Sequence, residues 1–342
     1  MNANKNNIQI ANRTAVGSTT LIVGIILLIL SMTFSIIHGA VDIELSTIWE
    51  SLTQFNPDLT THQIIYELRL PRVLAAALVG AFLAISGVIM QGITQNPLAS
   101  PSIMGVSAGA AFMIAIAFAF FSTISQMGLM IWAFIGAGFG AGLVFLIGQL
   151  SKTGLSPVKL ALAGTAISTF LQSLSTALAI HFDVARDISF WFAGGIAGTR
   201  WISIQIMIPV ALIGISLALF ISRSLTMLSF GEELAIGLGQ RTKLVKTTAI
   251  IVVLLLTGSA VAVAGTIGFI GLVIPHITRF LVGLDYRWII PCSAILGALL
   301  LVLADLGARM INPPFETPVG AITALVGVPF FLFLARSDRR GL

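Results

Sequence analysis

Apolar segments near the length of a bilayer crossing recur along this 342-residue chain, at about 18–38, 71–92, 103–121, 127–149, 158–181, 202–221, 244–264, 266–283, 289–309 and 317–335. A spanning α-helix needs about 20 apolar residues, because its backbone N–H and C=O groups must bond within the segment once water is absent. The chain is therefore predicted to be an all-α, polytopic membrane protein of about ten transmembrane helices. It forms one membrane domain over 1–342, with roughly 18–335 embedded. Hydrophobic residues make up 57% and charged residues 9%, with a mean hydropathy of +1.04. A soluble surface carries about a quarter charged residues, so this one meets lipid. The first apolar run, from about Leu21 to Ile37, outlasts a signal-peptide core and reads as a retained helix.

An even number of crossings puts both termini on one side. With the termini in the cytoplasm, only Arg69, Arg72, Arg186, Arg200 and Arg309 fall outside; the other thirteen of the 18 Lys and Arg fall inside. That bias supports the orientation and a multi-pass place in the cytoplasmic membrane. The net charge of +5 is scattered, without a basic run, so nucleic acid is not an expected partner. The single cysteine, Cys292, excludes an intramolecular disulfide and reads as a small residue packed between helices. The segment His38–Leu70 is polar and external. About Ile188 to Ala197 reads as a non-spanning helix. The longest internal connection is 222–246, where Gly231 to Gly239 reads as a short helix.

Ion-coupled carriers place ionisable groups or unwound helices near the midplane. Here the ionisable groups sit near helix ends. Asp305, the deepest acid, has Arg309 four residues on, on the same helix face. No phosphate-cradling G-x-x-x-x-G-K-[ST] loop occurs, so ATP hydrolysis is not expected in this polypeptide. Gly105-Val106-Ser107-Ala108-Gly109 fits the nucleophile elbow G-x-S-x-G, but opens an apolar helix rather than a strand–turn–helix. Helix packing is its expected role, as it is for Gly136, Gly138, Gly140 and Gly142. The 158–180 segment carries Thr165, Ser168, Thr169, Gln172, Ser173, Ser175 and Thr176. These groups either line a hydrated path or bond to their own backbone and neighbouring helices. His276 follows Pro275 without a second ligand at metal spacing, and reads as a helix-end residue. No metal or catalytic site is expected.

Several ordered motifs carry a family resemblance. Arg69-Leu70-Pro71-Arg72, Gly80, Ser86-Gly87, Gln91, Asn96-Pro97-Leu98-Ala99-x-Pro101 and Gly105-Val106 come first. Ala264-Gly265-x-Ile267-Gly268-Phe269-Ile270-Gly271-Leu272-Val273-Ile274-Pro275-His276-x-x-Arg279, Ala304-Asp305-x-x-Ala308-Arg309 and Pro318-Val319-Gly320 follow. Together they resemble the FecCD-type permease subunits of iron–siderophore and vitamin B12 ABC importers, from about residue 20 to the C-terminus.

The resemblance implies a set of roles. Gly231, Glu232, Glu233, Ala235, Leu238 and Gly239 look like the family's coupling helix, which docks on an ATPase subunit. Phe230 stands where the family usually has leucine. Arg69, Arg72 and Arg309 match outer-mouth arginines that pair with a substrate-binding protein, where rim charges steer docking. Asn96 and Leu98, with Pro157 and Val158, are gate candidates; Ser168 and Gln172 are path candidates on the Ser/Thr-rich helix. The implied assembly adds a second permease, identical or paralogous, two ATP-binding subunits carrying ATP and Mg, and an extracytoplasmic binding protein. The expected cargo is a ferric siderophore, ahead of vitamin B12 or haem. The reading set against this is an ion-coupled secondary carrier of a small metabolite, which needs an essential membrane-embedded carboxylate.

Overall fold

The structure, a computed structural model, describes residues 2–39, 43–121, 123–150, 157–312 and 315–337. Among these there is no strand. The long helices are α1 (Asn2–Ile37), α4 (Leu70–Thr94), α6 (Gln126–Leu150), α7 (Pro157–His181), α9 (Trp201–Ser229), α11 (Thr242–Ala264) and α13 (Tyr286–Ile311). Shorter apolar helices are α5 (Val106–Phe120), α12 (Ile270–Val282) and α14 (Val319–Ser337). The connections contain α2 (Leu45–Thr53), α3 (Thr60–Gln63), α8 (Ala185–Gly194) and α10 (Glu232–Gly237). A π-helical turn, Ile64–Arg69, leads into α4, and a 3-10 turn, Pro101–Met104, precedes α5.

Among the described residues seven helices are long and apolar enough to cross a membrane; α5, α12 and α14 occupy the third, eighth and tenth expected crossings but are shorter. At 13 residues α12 spans only about 20 Å, against a hydrocarbon core of about 30 Å. Irregular backbone makes up part of the difference at α5 and α12. Gly105 takes φ +72 before α5, and Gly265 (φ +68) and Phe269 (φ +69) precede α12. Such backbone survives at membrane depth only where protein covers it. Ile270, which follows it, is fully buried, and a Cβ on Gly327 of α14 would collide with the Phe269 ring. The absence of that Cβ makes room for the ring of a non-glycine residue in the left-handed region.

α4 is the axis of the molecule: every residue from Val79 to Gly92 is buried. α9, α11, α12 and α13 surround it, α1 packs on α13, and α5, α6 and α7 form a second group against α11. Lipid tails are as apolar as leucine, so close van der Waals packing must hold these helices together. Glycine pairs supply it. Gly80 of α4 meets Gly297 of α13, and Gly87 meets Gly271 of α12, backbone on backbone. Cys292 is buried at the α13–α1 contact, its Sγ 3.7 Å from the Gly17 carbonyl, as its packing role predicts. α8 lies within a few residues of the expected non-spanning helix. At the outer end, the rings of Phe55, Tyr66 and Trp201 pack in series at tilted angles, and Trp201 Nε1 donates to the Tyr66 carbonyl at 2.8 Å.

Candidate functional site

Residues that the charge bias assigns to opposite membrane faces gather at opposite ends of the bundle. At the outer end, Arg72 on the first turn of α4 donates to both oxygens of Asp305 on α13, at 2.9–3.1 Å. Its Nη1 donates to Glu316 at 2.6 Å. Arg309 Nε lies 3.3 Å from Asp305 Oδ2, an ion pair without hydrogen-bond geometry. The other nitrogens of Arg309 donate to Ser35 and to the His38 carbonyl, while Arg69 donates to the carbonyls of Ile36 and Ile37. Two arginines thus satisfy the last carbonyls of α1, which have no intrahelical partner and carry the negative end of the helix dipole.

The three arginines expected at a docking rim are therefore built into the fold. The Arg72 and Arg309 side chains are 11% and 9% exposed, Asp305 1%, and Arg69 is buried. Glu316, which the sequence reading did not single out, is 47% exposed and closes the cluster. A lone acid after the last outer turn was its only signal.

At the inner end, α9 stops at Phe230. Gly231 (φ +127) turns the chain into α10, and Gly239 (φ +80) turns it out again. Both conformations strongly favour glycine. Ala235 is fully buried, whereas Phe230, Leu234, Ile236 and Leu238 are exposed, Leu238 at 73%. Glu232 accepts from Lys246 Nζ at 2.7 Å, tying the helix start to α11; Glu233 is exposed. Gln240 Nε2 bonds the Ser224 carbonyl at 2.9 Å. The result is a short helix fixed on one side, with an uncovered apolar face on the other.

The candidate gate turn lies beside this segment. Gln95 ends α4 with φ +50 and donates to the Leu228 carbonyl of α9 at 3.0 Å. Asn96 Oδ1 accepts from the Leu98 N–H at 2.9 Å, an Asx turn that leaves the Leu98 side chain exposed. Pro157 and Val158 open α7, but their side chains lie outside the described residues. On α7, Thr165, Thr169, Ser173, Ser175 and Thr176 each donate to a carbonyl three or four residues back. Even so, Thr165, Thr169, Gln172 and Thr176 share one exposed face at helical spacing, with Ser168 half-buried nearby. Gly105 and Gly109, the glycines of the elbow-like motif, pack against Gly136 and Gly140 of α6, so the packing role holds.

The α12 signature reads as an interface with α4. Gln91 Nε2 donates to the Gly271 carbonyl at 3.2 Å and Arg279 donates to Gln91 Oε1. His276 stands edge-on to Phe330 of α14. Among the described residues no group of His, Cys, Asp or Glu could hold a metal ion.

An apolar bundle with structural charges outside and an uncovered, glycine-bounded helix inside defines a membrane-embedded transport subunit. The chain belongs to the FecCD transport family, whose model matches residues 17–337. It is 60% identical to the iron(3+)-hydroxamate import system permease protein FhuB of Bacillus subtilis, over 98% of this chain and 87% of that one. It is 39% identical to the cobalamin import system permease protein BtuC of Halobacterium salinarum, over 84% and 79%. A solved structure described as an inward-facing metal-chelate type ABC transporter superposes with a TM-score of 0.82 at 32% identity, covering 94% of this chain and 99% of that one. The chain is thus a multi-pass permease of the ABC-importer type, and the carrier reading gives way to it.

Proposed function

We propose that this permease conducts a ferric siderophore, of the hydroxamate class, into the cytoplasm, driven by ATP and Mg on separate subunits. The observation that carries the coupled mechanism is α10, with Ala235 buried beneath it and Leu234, Ile236 and Leu238 uncovered. An apolar face held by two glycine turns suits a groove on an ATP-binding subunit. Its movement would pass through the α9–α10–α11 connection and, by the Gln95–Leu228 bond, to the Asn96–Leu98 turn at the inner mouth. The polar stripe on α7 offers weak contacts to a passing chelate. With a second permease, identical or paralogous, opposite it, that stripe would line the path.

Docking of a substrate-binding protein is assigned to the outer face around Arg69, Arg72 and Arg309. These three cations outnumber Asp305 and Glu316, so the cluster presents a positive field that steers an acidic partner, beyond its structural work. Asp305 is committed to two arginines as part of the fold, a structural use of the deepest acid that weighs against ion coupling. The deciding experiment is uptake of a radiolabelled ferric hydroxamate by the full complex in proteoliposomes. Uptake that needs internal ATP and the binding protein is expected; uptake that follows a proton gradient instead would overturn the proposal.

A further inference from the structure

Where the inner end of α9 meets the start of α13, a cavity of about 430 Å³ opens between Arg223, Thr226, Met227, Asp285 and Arg287. The transport route described above uses none of these side chains. Asp285 caps α13 by accepting from the Arg287 N–H at 3.0 Å, and its Oδ2 accepts from Arg287 Nη2 at 2.6 Å. Burial pushes this carboxyl up, but the hydrogen bonds and charge of Arg287 outweigh it and hold the carboxyl below its ordinary value, so it is ionised at neutral pH. One arginine charge is thereby balanced. Arg223 is exposed and makes no ion pair or hydrogen bond with another described residue, so one positive charge is left over.

The depth of the cavity points to its occupant. Arg223 lies about 33 Å along α9 from Trp201, and Arg287 about 33 Å along α13 from Arg309, at 1.5 Å per residue. Both arginines therefore stand just past a hydrocarbon core of about 30 Å, on the face that the charge bias makes cytoplasmic. Trp288, next to Arg287 and only partly buried, is an aromatic type that favours this interface. Met227, 44% exposed, adds an apolar wall.

We propose that this cavity binds a phosphate-bearing anion, presented as the headgroup of an anionic phospholipid of the inner leaflet, with Arg223 and Arg287 as its ligands. Guanidinium forks match phosphate oxygens, and basic pockets between transmembrane helices on the cytoplasmic side suit such headgroups. Thr226 already joins the two helices, its hydroxyl accepting from the Tyr286 N–H at 3.0 Å. A headgroup would add a second clasp about two turns before Gly231, where α10 begins.

The test is native mass spectrometry of the full-length chain, equilibrated with mixed phosphatidylglycerol and phosphatidylcholine vesicles. The wild type should retain phosphatidylglycerol preferentially. Arg223→Gln and Arg287→Gln should each weaken that retention about fivefold, the effect of one basic residue at an anionic surface. Arg336→Gln, a basic change at the end of α14 and outside the cavity, should leave it unchanged. Arg223→Gln is the cleaner variant, since it breaks no contact. Wild-type retention by Arg223→Gln overturns the site. Displacement of the lipid by millimolar inorganic phosphate overturns the lipid assignment and marks a soluble-anion site.

Discussion

Arg72, Asp305 and Arg309 show how far a buried charge depends on its partners. Asp305 balances two guanidinium groups while almost wholly out of water. In Asp305→Asn the arginines would face each other with no anion between them except Glu316 at the edge. Breaking a buried pair from one side costs about 3–5 kcal/mol, whereas replacing both partners by apolar groups is often neutral. Asp305→Asn should therefore lower the unfolding midpoint sharply in detergent, and Arg72→Met with Asp305→Leu should recover only part of the loss, because Arg309 then keeps a buried charge without its anion. Equal midpoints for Asp305→Asn and wild type would show that the network bears little of the stability. Asp285 makes a smaller, pH-dependent contribution. Its folded value lies below the ordinary 3.8, so the stabilisation is present above that pH and disappears as the pH falls through the folded value. Melting curves of Asp285→Asn and wild type should differ slightly near neutrality, the group being partly exposed, and converge in acid. A gap that widens on acidification would contradict the pairing with Arg287.

Between helices, glycine phase decides what packs. Gly136 and Gly140 sit against Gly109 and Gly105, while Gly138 and Gly142, two residues out of step, have nothing within 4 Å. Two overlapping G-x-x-x-G patterns looked equivalent in the sequence, because spacing alone does not say which face meets a neighbour. The contrast gives a paired test. A Cβ on Gly87 would lie 2.6 Å from the Gly271 carbonyl carbon, a backbone atom that cannot swing aside. Gly87→Ala should destabilise by at least the 1–3 kcal/mol or so typical of overpacking. Gly142→Ala should be neutral or stabilise by up to about 1 kcal/mol from helix propensity. Thermal unfolding of the two variants under one condition separates them; similar losses would refute the assigned helix faces. The helices themselves were legible because hydropathy runs over some 20 residues. The partners of Arg72 were not: Asp305 and Glu316 lie 233 and 244 positions away. The hydroxyls of α7 were half legible, since local composition shows them but not whether they bond backward, face outward, or do both.

Across the whole molecule, the two ends differ in what they leave uncovered. The outer charges are mostly consumed by the fold, whereas the inner helix α10 keeps its apolar side chains in the open. Leu238, at 73% exposed, contributes little to the stability of the free chain and, in the proposed coupling role, would enter a partner's groove. Burying a leucine side chain yields about 1.5–3 kcal/mol, so Leu238→Ser should weaken capture of the ATP-binding subunit by one to two orders of magnitude. The unfolding midpoint of the isolated permease should not move. Ala235→Leu is the counterpart on the buried side of α10: it should disturb the fold first, so its loss of assembly would come with a lowered midpoint. Phe230 and Leu234, exposed beside Leu238, should behave like it. Co-purification of the ATP-binding subunit with each variant, read beside its unfolding midpoint, distinguishes a docking face from an ordinary amphipathic loop. Were Leu238→Ser to assemble and transport as the wild type does, α10 would lose its coupling role and the apolar face would need another occupant.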